Sequence, residues 1–346
     1  MSGCITALAI GDPHFRPKYI PVVDEFVEQT LEIIKSQKPH FVVVLGDTLH
    51  NHEQAKESCH RRAVKWFQDM AAITKLYVLI GNHDRPNNSH FLTENHFFNG
   101  LKGTPNIVIV DKVHSMNAEV SGKQFRFVFV PYVPPGKFQD ALDTLEESIS
   151  DDPPKAIFAH QEFKGVKMGA IESEDGDEWG DDKPFVVSGH VHEYQMLGRN
   201  ILYTGTPFQT TFAEANNKGV FLFSFGGDRD GAKRIRLRLR VKEKVTLQAA
   251  EVADWKLPET NSDEGDIDLR VDILGTKEEL AGVKQLPAYK TMKETSWIKV
   301  VLRPIFEQTE RSGDLSKVSY MQVFYDSIKE RPELEALYRE MFKEIK

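Results

Sequence analysis

FVVVLGDTLH, residues 41–50, is an apolar run of strand length that breaks at a glycine and leads directly into Asp47 and His50. The same construction recurs along the chain. CITALAI (4–10) leads into Asp12 and His14, and KLYVLIG (75–81) into Asn82 and His83; KAIFAH (155–160) ends on His160, and PFVVSG (184–189) leads into His190 and His192. Such runs, bounded by turn residues, read as strands. Between the first two lies PVVDEFVEQTLEIIKSQ (21–37), where Val23, Phe26, Val27, Thr30, Leu31 and Ile34 recur at the three- and four-residue steps of an amphipathic helix. Glu53 to Ala72 repeats that pattern more weakly. Strand, helix, strand, helix, strand builds a buried, largely parallel sheet with helices on its faces. RFVFVPY (126–132) and GVFLFSF (219–225) add strands, so the expected fold class is α/β, with two sheets forming a sandwich.

The 346 residues suffice for one large domain and a smaller one, and 40% hydrophobic with 28% charged residues is the balance of a soluble globular protein. Cys4 and Cys59 are too few and too far apart for a disulfide framework or a thiolate metal site, which points to a reducing compartment and to nitrogen and oxygen ligands. No run is long enough to span a membrane, and the N-terminus lacks the marks of a signal peptide, so the chain reads as intracellular. The net charge of −8 opposes indiscriminate attraction to nucleic acid but leaves room for a local basic surface.

All five runs deliver metal-ligand residue types at their ends. In an open α/β sheet, sites form beyond the carboxyl ends of the strands, so residues this distant in sequence can converge. The i, i+2 spacing of Asp12 with His14, and of His190 with His192, can aim both members of each pair to one side of an extended segment. Such a set suits phosphodiester hydrolysis, in which two divalent ions about 3.5–4 Å apart generate a nucleophile from water and offset charge on the phosphoryl oxygens. A carboxylate such as Asp47 can bridge two ions, and Asn82 supplies an oxygen without adding negative charge. Imidazole-rich ligation favours Mn, Fe or Zn over Ca or Mg without choosing among the three.

The order GDPH (11–14), GDTLH (46–50), GNHD (81–84), AHQE (159–162) and SGHVH (188–192) resembles the calcineurin-like metallophosphoesterase superfamily over about residues 5–225. The resemblance implies an αββα sandwich in which Asp12, His14, Asp47 and His192 hold one ion and Asp47, Asn82, His160 and His190 the other. It also implies that His83 is a non-ligand catalytic histidine acting on the scissile phosphate or the leaving oxygen, with Asp84 orienting its ring.

Three features are similar to the DNA double-strand-break repair branch, which includes SbcD, the meiotic-recombination-eleven nucleases and phage recombination-nuclease subunits. His50 stands three residues after the bridging aspartate, where that branch has a second catalytic histidine; from the residues alone it reads equally as a solvated loop residue, as His52 does. GHVHEYQML (189–197) with NILYTGTPFQTTFAE (200–214) resembles the stretch that follows the last ligands in that branch. IDLRVDIL, KEELAGVKQL and SWIKVVLRP, read as strand, helix and strand, resemble its small α+β capping domain. The expected organisation is a nuclease domain over 1–226, a capping domain over 233–305 and C-terminal helices over 314–346. The resemblance implies manganese-supported exonuclease action on duplex DNA and endonuclease action on single strands. It implies a homodimer whose C-terminal helices, with apolar stripes such as Val318, Met321, Phe324, Tyr325 and Ile328, capture an SMC-like ABC ATPase. A small-nucleotide phosphodiesterase and a phosphoprotein phosphatase of the same superfamily stay open as alternatives.

Two charged stretches have plainer readings. Arg234, Arg236, Arg238 and Arg240 fall on one face of a presumed strand, either gripping phosphates or protecting a sheet edge. The acidic run around Glu172 to Asp182 reads as a solvated face rather than a third metal site.

Overall fold

The computed structural model describes residues 3–226, 230–258, 267–305 and Leu334. In chain order the first half holds β1 (Ile5–Ile10), α1 (Ile20–Gln37), β2 (Phe41–Val44), α2 (Glu57–Ala71), β3 (Lys75–Leu79), β4 (Ile107–Val110), β5 (His114–Val120), β6 (Lys123–Val130), α3 (Phe138–Leu142) and β7 (Ala156–Ala159). There follow β8 (Lys167–Met168), β9 (Ile171–Glu172), β10 (Val186–Ser188), β11 (Gln195–Leu197), β12 (Ile201–Tyr203), β13 (Val220–Phe225), β14 (Gly231–Ile235), β15 (Val241–Gln248), β16 (Ile267–Gly275), α4 (Lys277–Val283), α5 (Pro287–Glu294) and β17 (Ile298–Pro304). Two six-stranded sheets, ordered β14-β13-β1-β2-β3-β4 and β11-β12-β10-β7-β6-β5, face each other. Their central strands are parallel, and the antiparallel pairs lie towards the edges.

Strand periodicity explains the layers. Ala7 and Ala9 of β1 join Phe41, Phe127, Phe129, Phe158 and Phe223 between the sheets, whereas Leu8 and Ile10 point the other way, towards α1 and α2. Sheets covered on both faces need apolar residues at every position, which is why these strands read as unbroken runs. On the outer side Val23, Phe26, Thr30 and Ile34 of α1 are buried, and Trp66 of α2 donates its indole N–H to Thr30 Oγ1 at 3.0 Å. The fully buried Trp66 locks the two helices together; its loss to alanine costs about 3–5 kcal/mol. Beyond the second sheet, Phe138 of α3 packs with Phe163, Tyr203 and Trp179. The α/β sandwich is therefore the one expected.

A separate three-stranded sheet, β15-β16-β17, is parallel throughout and has its own core of Leu269, Val271, Ile273, Leu280, Val283 and Met292. Two details differ from the sequence expectation. β15 precedes the expected strand, and a second helix, α5, opening with Pro287 at its first turn, follows α4. The presumed arginine strand is also split. Residues up to Ile235 form a hairpin with β13 in the large sheet, 236–240 form no strand, and the small sheet begins at Val241. β14 pairs antiparallel with β13 and so belongs to the first six-stranded sheet, although its last three residues fall within the stretch 233–305. Between them, two glutamines act as surrogate strand partners. Gln29 accepts from Arg238 N at 2.7 Å and donates to Arg238 O at 2.9 Å, and Gln209 does the same for Lys242 at 2.8 and 3.0 Å.

The expected C-terminal helices lie outside the described residues. Among the described residues, no helix is long and apolar enough to cross a membrane.

Candidate metal centre

The loops carrying the expected ligands leave the carboxyl ends of β1, β2 and β3 in one sheet and of β7 and β10 in the other, and they meet at one end of the sandwich. Cross-links between the sheets hold them there. His160 Nδ1 donates to the Leu45 carbonyl at 2.7 Å, and the His190 N–H donates to Asp12 Oδ1 at 2.8 Å. Within each sheet's loops, His14 N reaches Asp47 O at 3.0 Å. Gly46, at φ +101°, leaves room for the His160 ring, since a Cβ there would come within 2.4 Å of its Nδ1. Three of the expected ligands, His14, Asp47 and His190, adopt left-handed backbone with φ of 43°, 48° and 75°. Such conformations are costly for residues with a Cβ and persist where the surroundings over-determine them, often at functional sites.

All seven expected ligand residues come together. Asp12, His14 and Asp47 present donor atoms within 4.8 Å of one another, and so do Asp47, His160 and His190, with Asp47 common to both sets. His14 Nε2 faces His192 Nε2 at 2.9 Å; Asn82 Oδ1 lies 3.0 Å from His160 Nε2 and 3.0 Å from His190 Nδ1.

These contacts fit a pair of cations. His160 has committed its Nδ1–H to Leu45, so a neutral His160 turns a lone pair towards the Asn82 oxygen, two acceptors face to face. Asp12 Oδ2 is buried and has no hydrogen-bond partner among the described residues. Without cations, protons fill the gap. Burial opposes charge on His160, but the Asp47 carboxylate outweighs it and lifts the imidazolium to about 9. Burial pushes the Asp12 carboxyl up to about 8 against the attraction of His160, and Asp47 adds to the rise. Asp47, despite its burial, is held well below the usual carboxylate range by His160 and His14. Burial keeps His14 and His192 neutral, the state in which imidazole ligates. Bound divalent ions would supply charge compensation to a phosphoryl group and lower the pKa of water.

His83 sits beside this set with Nε2 3.9 Å from Asp47 Oδ2; burial lowers its pKa. Its ring is oriented by the His50 carbonyl, which accepts from Nδ1 at 2.6 Å. The expectation that Asp84 orients this ring is corrected. Fully buried, Asp84 spends its oxygens on the backbone N–H groups of Leu49 (3.0 Å), Gly81 (3.1 Å) and Thr48 (3.3 Å), tying the β2 and β3 loops together. Burial and Asp47 raise its carboxyl to about 7. His50 does enter the site: its Nδ1 accepts from Arg16 Nη2 at 2.8 Å and lies 3.3 Å from His14 Nδ1. Burial, then the Arg16 charge, lower it to about 4. His52 is not a solvated loop residue but stacks on His83, with ring centroids 4.4 Å apart.

Other residues reach the site without having been singled out. Glu162 Oε2 is 3.5 Å from His190 Nε2, on the far side of the ring from Asn82, and its other oxygen accepts from Ser173 Oγ. The bond to His190 holds Glu162 below the usual carboxylate range. Its position two after His160, within AHQE, was the signal. The acidic run is accordingly not a purely solvated face. Ser173 anchors it to Glu162, Asp177 is buried and accepts from Gln161 Nε2 at 2.7 Å, and Trp179 packs on the outer core. Lys218, also buried, donates to the His192 carbonyl at 2.7 Å.

Comparison with known proteins agrees with this geometry. The family model described as calcineurin-like phosphoesterase matches residues 5–194. The chain is 36% identical over 292 residues to "Putative phosphoesterase 078R" of Invertebrate iridescent virus 3, covering 84% of this chain and 82% of that one. To "Putative phosphoesterase 244L" of Invertebrate iridescent virus 6 it is 41% identical over 218 residues, 63% of this chain and 75% of the relative. Among solved structures, GAP50, the anchor in the inner membrane complex of Plasmodium, aligns over 67% of this chain and 84% of its own at 12% identity, with a TM-score of 0.46. The chain belongs to the calcineurin-like phosphoesterases, a superfamily of hydrolases that work through a binary metal centre.

Proposed function

We propose that this phosphoesterase is a DNA nuclease, supported by manganese, that degrades duplex ends and cuts single strands as part of a recombination and repair assembly. The observation that carries the reading is a basic cleft of about 790 Å³ between the body and the open face of the small sheet. Lys18, Arg240, Lys242, Lys244, Arg270, Lys299 and Arg303 line it, against Glu25, Asp268 and the buried Asp272 that pairs with Lys244, Arg270 and Arg303. It is linked to the metal centre through Tyr19, which lines the cleft and lies 5.9 Å from Arg16, the residue that bonds His50. In a chain of net charge −8, this concentration of cations suits a polymer of phosphates rather than one small phosphoester. Arg234 and Arg236 take a different part, since they bond the carbonyls of Asn217 and Asn216 beside the large sheet's edge.

Asp12, His14, Asp47 and His192 would hold one ion and Asp47, Asn82, His160 and His190 the other, with His83 serving the departing sugar oxygen and His50 the substrate phosphate. The capping role of the small sheet, a homodimer, and an SMC-like ABC ATPase held by residues 314–346 complete the proposal, supported by the sequence resemblance. The test is the purified full chain with Mn²⁺, assayed on linear duplex DNA, circular single-stranded DNA, cyclic nucleotides and a phosphopeptide, with His83→Ala as control. Hydrolysis of both DNAs, lost in the variant, is expected; turnover confined to cyclic nucleotides or the phosphopeptide overturns the assignment.

A further inference from the structure

The loops after β2 and β3 exchange two imidazole bonds. His83, on the β3 loop, donates Nδ1–H to the carbonyl of His50 at 2.6 Å; His52, on the β2 loop, donates Nδ1–H in return to the carbonyl of Arg85 at 3.2 Å. Between these bonds the two rings lie face to face, 4.4 Å apart and inclined by 28°. The His50 ring is also nearly parallel to that of His83, at 5.4 Å and 11°, and the His14 ring meets it edge-on at 5.1 Å. His83 thus has one nitrogen committed to a carbonyl and one face covered by His52, and both contacts oppose its turning.

We infer that His52 is a positioning residue for the hydrolytic reaction, acting through His83. By stacking on that ring and tying its own ring to Arg85, it keeps His83 Nε2 turned towards Asp47 and the metal centre, where His83, once it has taken up a second proton as imidazolium, would pass the Nε2 proton to the leaving oxygen. His52 touches no expected metal ligand in this role and need not meet the substrate. An aromatic pair of this kind resists reorientation without altering charge, and small misplacements of an acting group slow a reaction far more than they weaken binding. The inference rests on the proposed role of His83 but not on DNA as the substrate.

The experiment uses the full chain with Mn²⁺ and the simple diester diphenyl phosphate, whose phenolate, unlike a nitrophenolate, is a poor leaving group that gains from a proton, comparing wild type, His52→Ala, His52→Phe, His52→Gln and His83→Ala for kcat, KM, bound metal and melting temperature. His52→Ala is expected to lower kcat about tenfold with KM and metal content held within about twofold. Phenylalanine, which restores a ring, should recover most of the rate; glutamine, which restores only the bond, should not. In the metal-free protein, the His83 Cε1 proton resonance should shift in His52→Ala and move back towards its wild-type position in His52→Phe. A wild-type kcat in His52→Ala, with His83→Ala impaired, overturns the inference alone. A wild-type kcat in His83→Ala overturns the role of His83 and the inference with it. Loss of rate that tracks loss of metal or of folding, and that phenylalanine does not reverse, also overturns it.

Discussion

Asp84 Oδ1 accepts the backbone N–H of Leu49 at 3.0 Å, across 35 residues of sequence. Its other oxygen serves Gly81 and Thr48, so this carboxyl joins the strand ends that carry Asp47 and Asn82. Replacement by alanine leaves three buried N–H groups without the acceptor they have here. Asp84→Ala should lose about 3 kcal/mol of stability by urea unfolding, whereas Asp84→Asn, which keeps an acceptor, should lose less. Equal losses in the two variants would remove the loop-tying role.

Metal removal should matter more as the medium becomes alkaline. Asp12 and Asp84 titrate at about 8 and 7 in the metal-free fold, well above an unfolded carboxyl, and His160 at about 9, above an unfolded imidazole. For all three the folded state holds protons that the unfolded chain has released, so their contribution to stability falls with rising pH, from about pH 4 for the two carboxyls and from about 6.5 for His160, and is exhausted near pH 9. Chelated protein should therefore melt at progressively lower temperature across that window, and Mn²⁺ should restore it by binding the folded state alone. Calorimetry in buffers of different ionisation enthalpy should show protons released on binding near pH 7. A flat melting curve from pH 6.5 to 9 without metal would contradict these assignments.

Glu162 steadies His190 from behind, and partners of this kind tune the ligand they orient. Glu162→Gln should weaken Mn²⁺ affinity by about 10- to 100-fold in direct titration while leaving melting of the chelated protein nearly unchanged. Ser173→Ala, one bond further out, should produce a smaller change in the same direction. If Glu162→Gln binds as wild type does, the contact has no part in ligation.

In the small sheet, the buried Asp272 accepts from Arg270 Nε and Arg303 Nε, each at 2.7 Å. Burial raises its pKa, but these arginines outweigh burial and hold it below the ordinary value. A depressed carboxyl stabilises the fold above its unfolded pKa of about 3.9, and that contribution is lost as pH falls through the lower folded value. Asp272→Asn should cost about 2 kcal/mol at neutral pH and little below pH 3, read from chemical unfolding of the small sheet at each pH. An equal cost at both pH values would show that charge is not the cause.

The fold and the convergence of the candidate ligands were legible in the sequence for one physical reason. A sheet buried on both faces must be apolar at every position, so each strand announces itself, and its end is marked by the first polar residues that can leave the core. FVVVLGD and KLYVLIGN read that way without ambiguity. The connections were less legible. RIRLRLRVK (234–242) alternates with perfect period two, yet the chain leaves the first six-stranded sheet at Ile235, because Leu237 and Leu239 pack on the α1 side while glutamine side chains replace a neighbouring strand. Partners such as Glu162, His52 and Asp84 were misassigned or overlooked because their roles depend on which loop lies opposite, and spacing along one segment carries no record of that. The left-handed backbone of His14, Asp47 and His190 was invisible for the same reason, since no glycine marks it.

Gln29 grips the linker at Arg238 and Gln209 grips the start of β15 at Lys242, four residues on, each through both its donor and its acceptor. Held at both Arg238 and Lys242, the segment between them cannot swing away from the body without breaking four hydrogen bonds. The small sheet is therefore indexed against the body, and the opening through which a phosphate chain would pass has one gauge, set by a pair of neutral side chains that take no part in the chemistry.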